Sequence, residues 1–187
     1  MPAISSNDIK NGITLKIEDG LFTVIEFQHV KPGKGGAFVR TKLRNARSGS
    51  VIERTYRSDE RLEQAIIDKR DMQYLYRDGE DYIFMDQSTY DQVPVSAKNL
   101  GAAANFLKET GTAILMINED EIIGVELPAS VELLVADTEP GIQGDRVSGA
   151  RKPATLETGY VVQVPLFVGP GEMIKVDTRS GEYLTRA

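Results

Sequence analysis

The sequence predicts an all-β protein made of three small domains. Short segments in which apolar and polar residues alternate recur along its 187 residues, and turn signals such as Asp19-Gly20 and Asp78-Gly79 separate them. Strands this short and this closely spaced are typical of small barrels or sandwiches. Charge also changes along the chain: residues 1–64 hold 11 basic and 8 acidic side chains, residues 65–128 hold 5 and 12, and residues 129–187 hold 6 and 8. We therefore predict three domains with these bounds.

The first predicted elements are the strands before residue 90. Ile13–Glu18 alternates apolar and polar residues and ends at a hairpin turn signal. A turn that contains Ser48-Gly49-Ser50 joins the predicted strands Ala37–Leu43 and Val51–Tyr56. The further strands predicted in this part are Leu21–Val30, Ala37–Leu43, Val51–Tyr56, Met72–Tyr76 and Tyr82–Met85.

One helix and six more strands are predicted in the rest of the chain. The helix is Ala97–Lys108, because Leu100, Ala104 and Leu107 recur at helical spacing. Strand patterns then resume at Thr112–Ile117, Ile122–Leu127, Val131–Ala136, Tyr160–Phe167, Met173–Val176 and Tyr183–Thr185.

The composition excludes several classes of function. There is no cysteine, which removes disulfides, thiol catalysis and zinc or iron–sulfur sites built on cysteine, and His29 is the single histidine. The 28 acidic and 22 basic side chains give a charge of −6, which argues against a protein that coats nucleic acid generally. No apolar run approaches the roughly 20 residues of a membrane helix, and the N-terminus has no signal pattern. We expect a cytoplasmic protein without cofactor, metal or catalytic residues.

A basic segment, Phe27–Ile52, is the richest feature. It contains no Asp or Glu and six basic residues. Arg40, Lys42 and Arg44 alternate with apolar or small residues, so a strand would place them on one face, ~6.6 Å apart. Such a row can follow a phosphate backbone, although an ordinary solvated strand face fits the same pattern.

The loop before this row is Lys31-Pro32-Gly33-Lys34-Gly35-Gly36. Proline stiffens one side of the loop, and the glycines permit unusual backbone angles and close approach to a partner. A hairpin like this would project Lys34 from its barrel, although the residues alone favour a plain glycine-rich turn over a functional tip. The G-x-x-x-x-G-K-[ST] pattern of a phosphate-binding loop is not met.

Two other groups of residues are assigned no chemistry. His29 lacks a second histidine or a cysteine, so we interpret it as a packed or capping side chain. Tyr74, Tyr76, Tyr82 and Phe84 could stack on bases, but alternating aromatic residues in strands more often belong to a core, which is the reading we prefer. The acidic residues between positions 68 and 91 do not follow the calcium-loop pattern.

Motifs spread over nearly the whole chain resemble bacterial translation elongation factor P. The segment 27–40 resembles the tip hairpin of that family, and the segments 72–76 and 84–86 resemble the start of its second domain. Segments 152–159 and 162–165, followed by Gly171, resemble its C-terminal signature, and segment 176–186 resembles its ending.

The resemblance implies an SH3-like (KOW-type) barrel followed by two OB folds, in an L-shaped arrangement similar to tRNA. It also implies a monomer that binds the ribosome between the peptidyl-tRNA site and the exit site. There the family promotes peptide-bond formation at consecutive prolines by positioning the CCA end of peptidyl-tRNA. Its partners would be the ribosome, peptidyl-tRNA, the mRNA codon of the exit site and a lysine-modifying enzyme, with no membrane.

The resemblance also implies roles for residues. Lys34 would reach the CCA end and carry the modification that extends this lysine in many members, and the rest of the tip loop is Lys31, Pro32, Gly33, Gly35 and Gly36. Contacts to the tRNA backbone would come from Arg40, Lys42 and Arg44. The exit-site codon loop would be Gly144, Asp145 and Arg146, with arginine where many members have threonine. Tyr183 and Arg186 would face the small subunit.

Three alternatives remain at this point. A stand-alone RNA-binding OB/SH3 module would bind free single-stranded RNA with strong salt dependence, but the acidic charge and the sparse basic residues beyond position 61 argue against it. An elongation-factor-P-like paralogue would share the fold but have a different target, and the lysine at position 34 favours the main family. An enzyme that pairs His29 with a carboxylate has the least support.

Overall fold

The computed structural model describes residues 2–141 and 149–187 and contains three antiparallel sheets. The first sheet has the strand order β1-β6-β2-β3-β4-β5, and a short 3-10 helix, Ser6–Asp8, follows its first strand. Its strands are β1 (Ala3–Ser5), β2 (Thr14–Ile17), β3 (Gly20–Val30), β4 (Phe38–Asn45), β5 (Val51–Arg57) and β6 (Arg61–Ala65).

The second and third sheets have the same topology. With strands numbered within each sheet, the order is 3-2-1-4-5 in both. The second sheet consists of β7 (Asp68–Asp78), β8 (Asp81–Asp86), β9 (Gln92–Ser96), β10 (Thr112–Asn118) and β11 (Glu121–Glu126). The third sheet consists of β12 (Ser130–Thr138), β13 (Arg151–Leu156), β14 (Val161–Pro165), β15 (Met173–Asp177) and β16 (Tyr183–Arg186).

The expectation of one long helix over Ala97–Lys108 is wrong. One α-helical turn, α1 (Ala97–Leu100), is followed by a 3-10 helix, Gly101–Phe106. Gly101 has φ 53° and ψ −132°, angles that no residue inside an α-helix adopts, so α1 ends there. Leu100 and Leu107 are nevertheless buried, as their spacing predicted.

Each sheet encloses buried apolar side chains. In the first sheet, Leu15, Val24 and Leu43 are at most 1% exposed, and they belong to a cluster with Ile9, Val39 and Tyr56. In the third sheet, a larger cluster is built mainly from branched aliphatic residues of β12 to β15. Burial of such side chains is the main stabilising contribution in domains of this size.

The chain separates into two compact units. The first unit extends to Lys69 and includes Met116–Gly124, and the second comprises Arg70–Leu115 and Val125–Ala187. In the first unit, the side chains of Arg47 and Glu121 form an ion pair, and the Asn118 amide donates to the carbonyl of Ile66 at 2.9 Å. The turn of β10 and β11 therefore belongs to the same body as the first sheet.

Three hairpins contain the same six-residue turn, at residues 45–50, 86–91 and 177–182. In each turn, a side-chain oxygen of the first residue accepts hydrogen bonds from the backbone N–H groups of the third and fourth residues. The N–H of the fifth residue donates to the carbonyl of the first, and the N–H of the first donates to the carbonyl of the sixth. The fifth residue has a left-handed backbone, with φ 72° at Gly49, 64° at Tyr90 and 74° at Gly181.

The first residue of each turn explains its geometry. Asn45, Asp86 and Asp177 have short polar side chains that reach their own backbone two and three residues ahead. These backbone N–H donors hold the pKa of the Asp86 and Asp177 carboxyls below their ordinary value, because they stabilise the ionised form.

Candidate nucleic-acid interface

The basic segment forms a long hairpin that ends in an exposed loop. Strands β3 and β4 pair from Phe22↔Asn45 to Val30↔Phe38, with a bulge at Ile25. Seven residues, 31–37, connect the last pair, and the first six of them are exposed. Lys34 lies in the middle of this loop. The paired strands therefore hold its backbone at the end of the hairpin and leave its side chain in solvent.

The glycines of the loop differ in what they require. Gly35 has φ 120°, a left-handed conformation that L-amino acids with a side chain rarely adopt, and a Cβ there would lie 3.8 Å from Cγ of Pro32. Gly33 and Gly36 have open space around them, so no neighbouring atom requires a glycine at either position. Gly35 thus fixes the path of the chain directly after Lys34.

Strand β4 has one buried face and one outward face. Val39, Thr41 and Leu43 are at most 1% exposed, whereas Arg40 and Arg44 are exposed and Lys42 is partly exposed. The hydroxyl of Thr41 donates to the carbonyl of Arg54 at 2.8 Å, which satisfies the one buried polar side chain of this strand. The expected alternation is confirmed, so the three cations share a face.

The three cations on this face are not equivalent. Nζ of Lys42 lies 2.8 Å from the carboxylate of Glu26 on β3, and Glu53 on β5 is opposite Lys42 in the strand register. The hydrogen bond and charge of Glu26 raise the pKa of Lys42. Across residues 2–141 and 149–187, neither Arg40 nor Arg44 has a carboxylate within 4.0 Å. Among the described residues, this face therefore offers two guanidinium groups without an ion pair and one ammonium that is paired with Glu26.

The expectation that the aromatic side chains belong to a core is confirmed for Tyr74 and Phe84. Tyr74 and Phe84 are at most 6% exposed and lie ring to ring at 5.5 Å. Tyr76 is 46% exposed, so its assignment to the core is wrong. The bulge between Tyr74 and Tyr76 explains this, because an extra residue in β7 breaks the alternation. His29 contacts Phe27 edge to face at 5.6 Å.

Of the site residues predicted after position 128, the structure describes Tyr183 and Arg186. Tyr183 is partly buried and packs against the core of that sheet. Arg186 donates to the carbonyl of Phe167 at 3.2 Å, and its Nε lies 3.4 Å from the carboxylate of Glu172. Gly144, Asp145 and Arg146 lie outside the described residues.

The described residues offer no metal-binding cluster of three or more His, Asp or Glu side chains. In the same part of the chain, no helix has the length and apolar character to cross a membrane.

Sequence reasoning missed the surroundings of Arg186. Phe167 and Glu172 come close to Arg186 only because β15 pairs with β16 and because β14 returns next to β16.

Comparisons with known families match almost the entire chain. The family model described as Elongation factor P (EF-P) KOW-like domain matches residues 5–62, and the one described as Elongation factor P (EF-P) OB domain matches residues 67–125. The model described as Elongation factor P, C-terminal, matches residues 131–186. The all-β fold class, with a KOW-like domain followed by OB architecture, is confirmed.

Curated relatives are similar over nearly their full length. Elongation factor P of Streptomyces avermitilis is 58% identical over 183 residues, which is 97% of both chains. Elongation factor P of Pelotomaculum thermopropionicum is 56% identical and covers 98% of this chain and 99% of its own. Among solved structures, eukaryotic translation initiation factor 5A from Methanococcus jannaschii has the same fold, with a TM-score of 0.53 at 22% identity over 68% of this chain and 92% of its own.

Proposed function

This chain belongs to the elongation factor P family of translation elongation factors, and we propose that it binds the ribosome beside peptidyl-tRNA and promotes peptide-bond formation at consecutive prolines. The observation that carries the proposal is the exposed Lys34 at the end of the β3–β4 hairpin. A flexible cation on a paired hairpin can reach into a narrow site that a whole domain could not enter.

The proposed mechanism is positioning without chemistry by the protein. Proline reacts slowly because its ring restricts the approach of its nitrogen, so transfer depends strongly on the alignment of the peptidyl-tRNA end. Holding that end in a reactive geometry lowers the entropic part of the barrier. The ammonium of Lys34 can donate to phosphate or ribose oxygens of the CCA end, which carry no base sequence. We therefore propose that the protein supplies no catalytic residue or cofactor of its own.

The loop and the outer face of β4 complete the proposed contact. Lys31, Pro32, Gly33, Gly35 and Gly36 set the backbone that carries the tip, and apart from Lys31 none of these residues has a side chain larger than that of proline. A longer, modified lysine would extend its reach, so a lysine-modifying enzyme is a proposed partner. The cations at positions 40, 42 and 44 would contact the tRNA backbone, with the largest shares from the two arginines because position 42 is neutralised.

The remaining parts of the proposal concern the rest of the chain. We assign residues 144–146 to the exit-site codon of the mRNA, and Tyr183 and Arg186 to the small subunit. We propose domain bounds of 1–64, 65–128 and 129–187, and a monomer that acts in the cytoplasm, where ribosomes are found.

The test is reconstituted translation of a message with consecutive proline codons. We expect Lys34→Ala to abolish the stimulation of proline–proline synthesis while far-UV circular dichroism and thermal unfolding stay unchanged. The matched control is Lys10→Ala, because Lys10 is also an exposed lysine of the first unit, and it should retain full stimulation. Full stimulation by the Lys34→Ala variant would contradict the mechanism. Tight, salt-sensitive binding to free single-stranded RNA would favour a stand-alone RNA-binding module instead.

A further inference from the structure

An exposed aromatic ring lies at the edge of the third sheet. Phe167 follows the end of β14 by two residues and is 60% exposed, although it is a large apolar side chain. The guanidinium carbon of Arg186 lies 4.4 Å from the centre of its ring. A cation this close covers one face of the ring. The high exposure of Phe167 leaves the rest of the ring open to solvent.

The guanidinium on this ring contacts two neighbours, Phe167 and Glu172. It donates from Nη2 to the carbonyl of Phe167 at 3.2 Å, and its Nε lies 3.4 Å from Oε2 of Glu172. Oε2 of Glu172 is itself buried, although the Glu172 side chain as a whole is 38% exposed. The ring of Phe167 provides the third contact. Arg186 and Phe167 are thus ordered before any partner binds, which reduces the entropy that binding costs.

The position of the ring in the fold points to a class of ligand. Gly141 approaches the chain next to Phe167 so closely that a Cβ on it would lie 2.6 Å from the carbonyl of Leu166. Arg151, at the start of β13, pairs with Pro165 at the end of β14. Gly141 and Arg151 therefore both lie against the segment that leads into Phe167. Phe167 closely follows the third strand of this sheet, and in OB folds the face of the second and third strands binds single-stranded nucleic acids.

We propose that the free face of Phe167 stacks on one unpaired nucleobase of RNA while Arg186 covers the opposite face. This inference rests on the proposed function and names the type of contact that the third domain makes on the ribosome. An aromatic ring stacks on any base, so the contact tolerates every sequence. The outer edge of the Arg186 guanidinium remains available to a phosphate of the same strand, because half of this side chain is exposed.

The first experiment identifies the partner directly. Phe167 is replaced by the photoreactive p-benzoylphenylalanine, and the full-length protein is irradiated on ribosomes that carry peptidyl-tRNA and mRNA. We expect cross-links to RNA, and primer extension then separates rRNA, tRNA and mRNA as the source of the base. The same photoreactive residue at Tyr90, which is 72% exposed in a turn of the second sheet, gives the background. Cross-links to ribosomal protein alone, or none above this background, would overturn the proposal.

The second experiment tests whether a planar ring is required. We expect Phe167→Leu to weaken binding to these ribosomes roughly 5- to 150-fold, the range for the loss of one stacked base, and Phe167→Trp to retain it. Tyr90→Leu, which replaces an exposed ring of the second sheet in the same way, should bind like the wild type. Wild-type affinity of the Phe167→Leu variant would refute stacking. If stimulation still depends on Lys34 in that case, the proposed function stands and only the stacking inference fails.

Discussion

Tyr90 occupies a backbone conformation that glycine adopts in the two equivalent turns of the molecule. Its φ is 64°, against 72° at Gly49 and 74° at Gly181. A left-handed residue with a side chain costs about 1–2 kcal/mol. Tyr90 is 72% exposed, so packing of its ring returns little of this cost. We therefore predict that Tyr90→Gly stabilises the protein.

The magnitude follows from two opposing terms. Tyr90→Gly removes the strain of about 1–2 kcal/mol but adds about 0.5–1 kcal/mol of backbone entropy to the unfolded chain, for a net gain of about 0–1.5 kcal/mol, centred at about 0.75 kcal/mol. Gly49→Ala should lose about the same amount, because nothing lies within 4 Å of a Cβ there. Gly181→Ala should lose more, about 2–4 kcal/mol, because its Cβ would lie 2.3 Å from the hydroxyl oxygen of Tyr160.

The assay is thermal unfolding by differential scanning calorimetry, with each transition assigned to its part of the chain. A change of about 1 kcal/mol moves Tm by about 4–8 °C in a domain of 60–100 residues. Tyr90→Ala is the control for the ring, because alanine keeps the strained backbone, and it should unfold like the wild type. A lower Tm for Tyr90→Gly, or equal losses for Gly49→Ala and Gly181→Ala, would refute the reasoning.

Two further predictions concern charge. The pKa of Asp86 lies below its ordinary 3.8 in the folded chain, so the stabilising effect of the ionised carboxylate is complete above pH 3.8 and is lost as pH falls through the lowered value. Asn45 occupies the equivalent position of another turn, so Asp86→Asn should keep the turn. We expect the free energy of unfolding of this variant, measured by urea titration from pH 7 to pH 2, to fall less with acid than that of the wild type. A parallel loss in both proteins would contradict this. Arg44→Ala should reduce the slope of log affinity for the ribosome against log salt by about 0.7–0.9, and Lys42→Ala by less because Glu26 neutralises it. Equal slopes in salt titrations of the two variants would show that Glu26 releases Lys42 on binding.

The sequence predicted the strands that carry their own alternation and missed those defined by a distant partner. Strand β1 is three residues long and pairs with β6, almost 60 residues away. Strand β9 contains Pro94, which argues against a strand in the middle of a sheet, but β9 lies at the sheet edge, where the missing N–H is tolerated. Local patterns do not contain this information, because edge position depends on the whole sheet.

The helical segment shows the limit of periodicity. Spacing identified Leu100 and Leu107 as buried residues, which is right. It could not identify the local geometry, because 3-10 and α-helical turns put nearly the same residues on one side over a short segment. The one local signal was Gly101, whose backbone conformation ends α1. In this short segment, the glycine therefore predicted the end of the α-helix better than the spacing of the apolar residues did.

Local sequence patterns also do not show which cations of the basic hairpin form ion pairs with distant carboxylates. These ion pairs determine how many cations remain available to RNA. Of the six cations between Phe27 and Ile52, Lys42 is paired with Glu26 and Arg47 with Glu121, and neither carboxylate belongs to that segment. Across residues 2–141 and 149–187, the other four have no carboxylate within 4.0 Å. Four phosphate contacts give a salt slope of about −3 to −4, so the hairpin alone binds RNA only weakly at physiological salt. Such limited affinity suits the proposed role, in which the factor would have to leave the ribosome again, and the acidic charge elsewhere on the chain limits the affinity further.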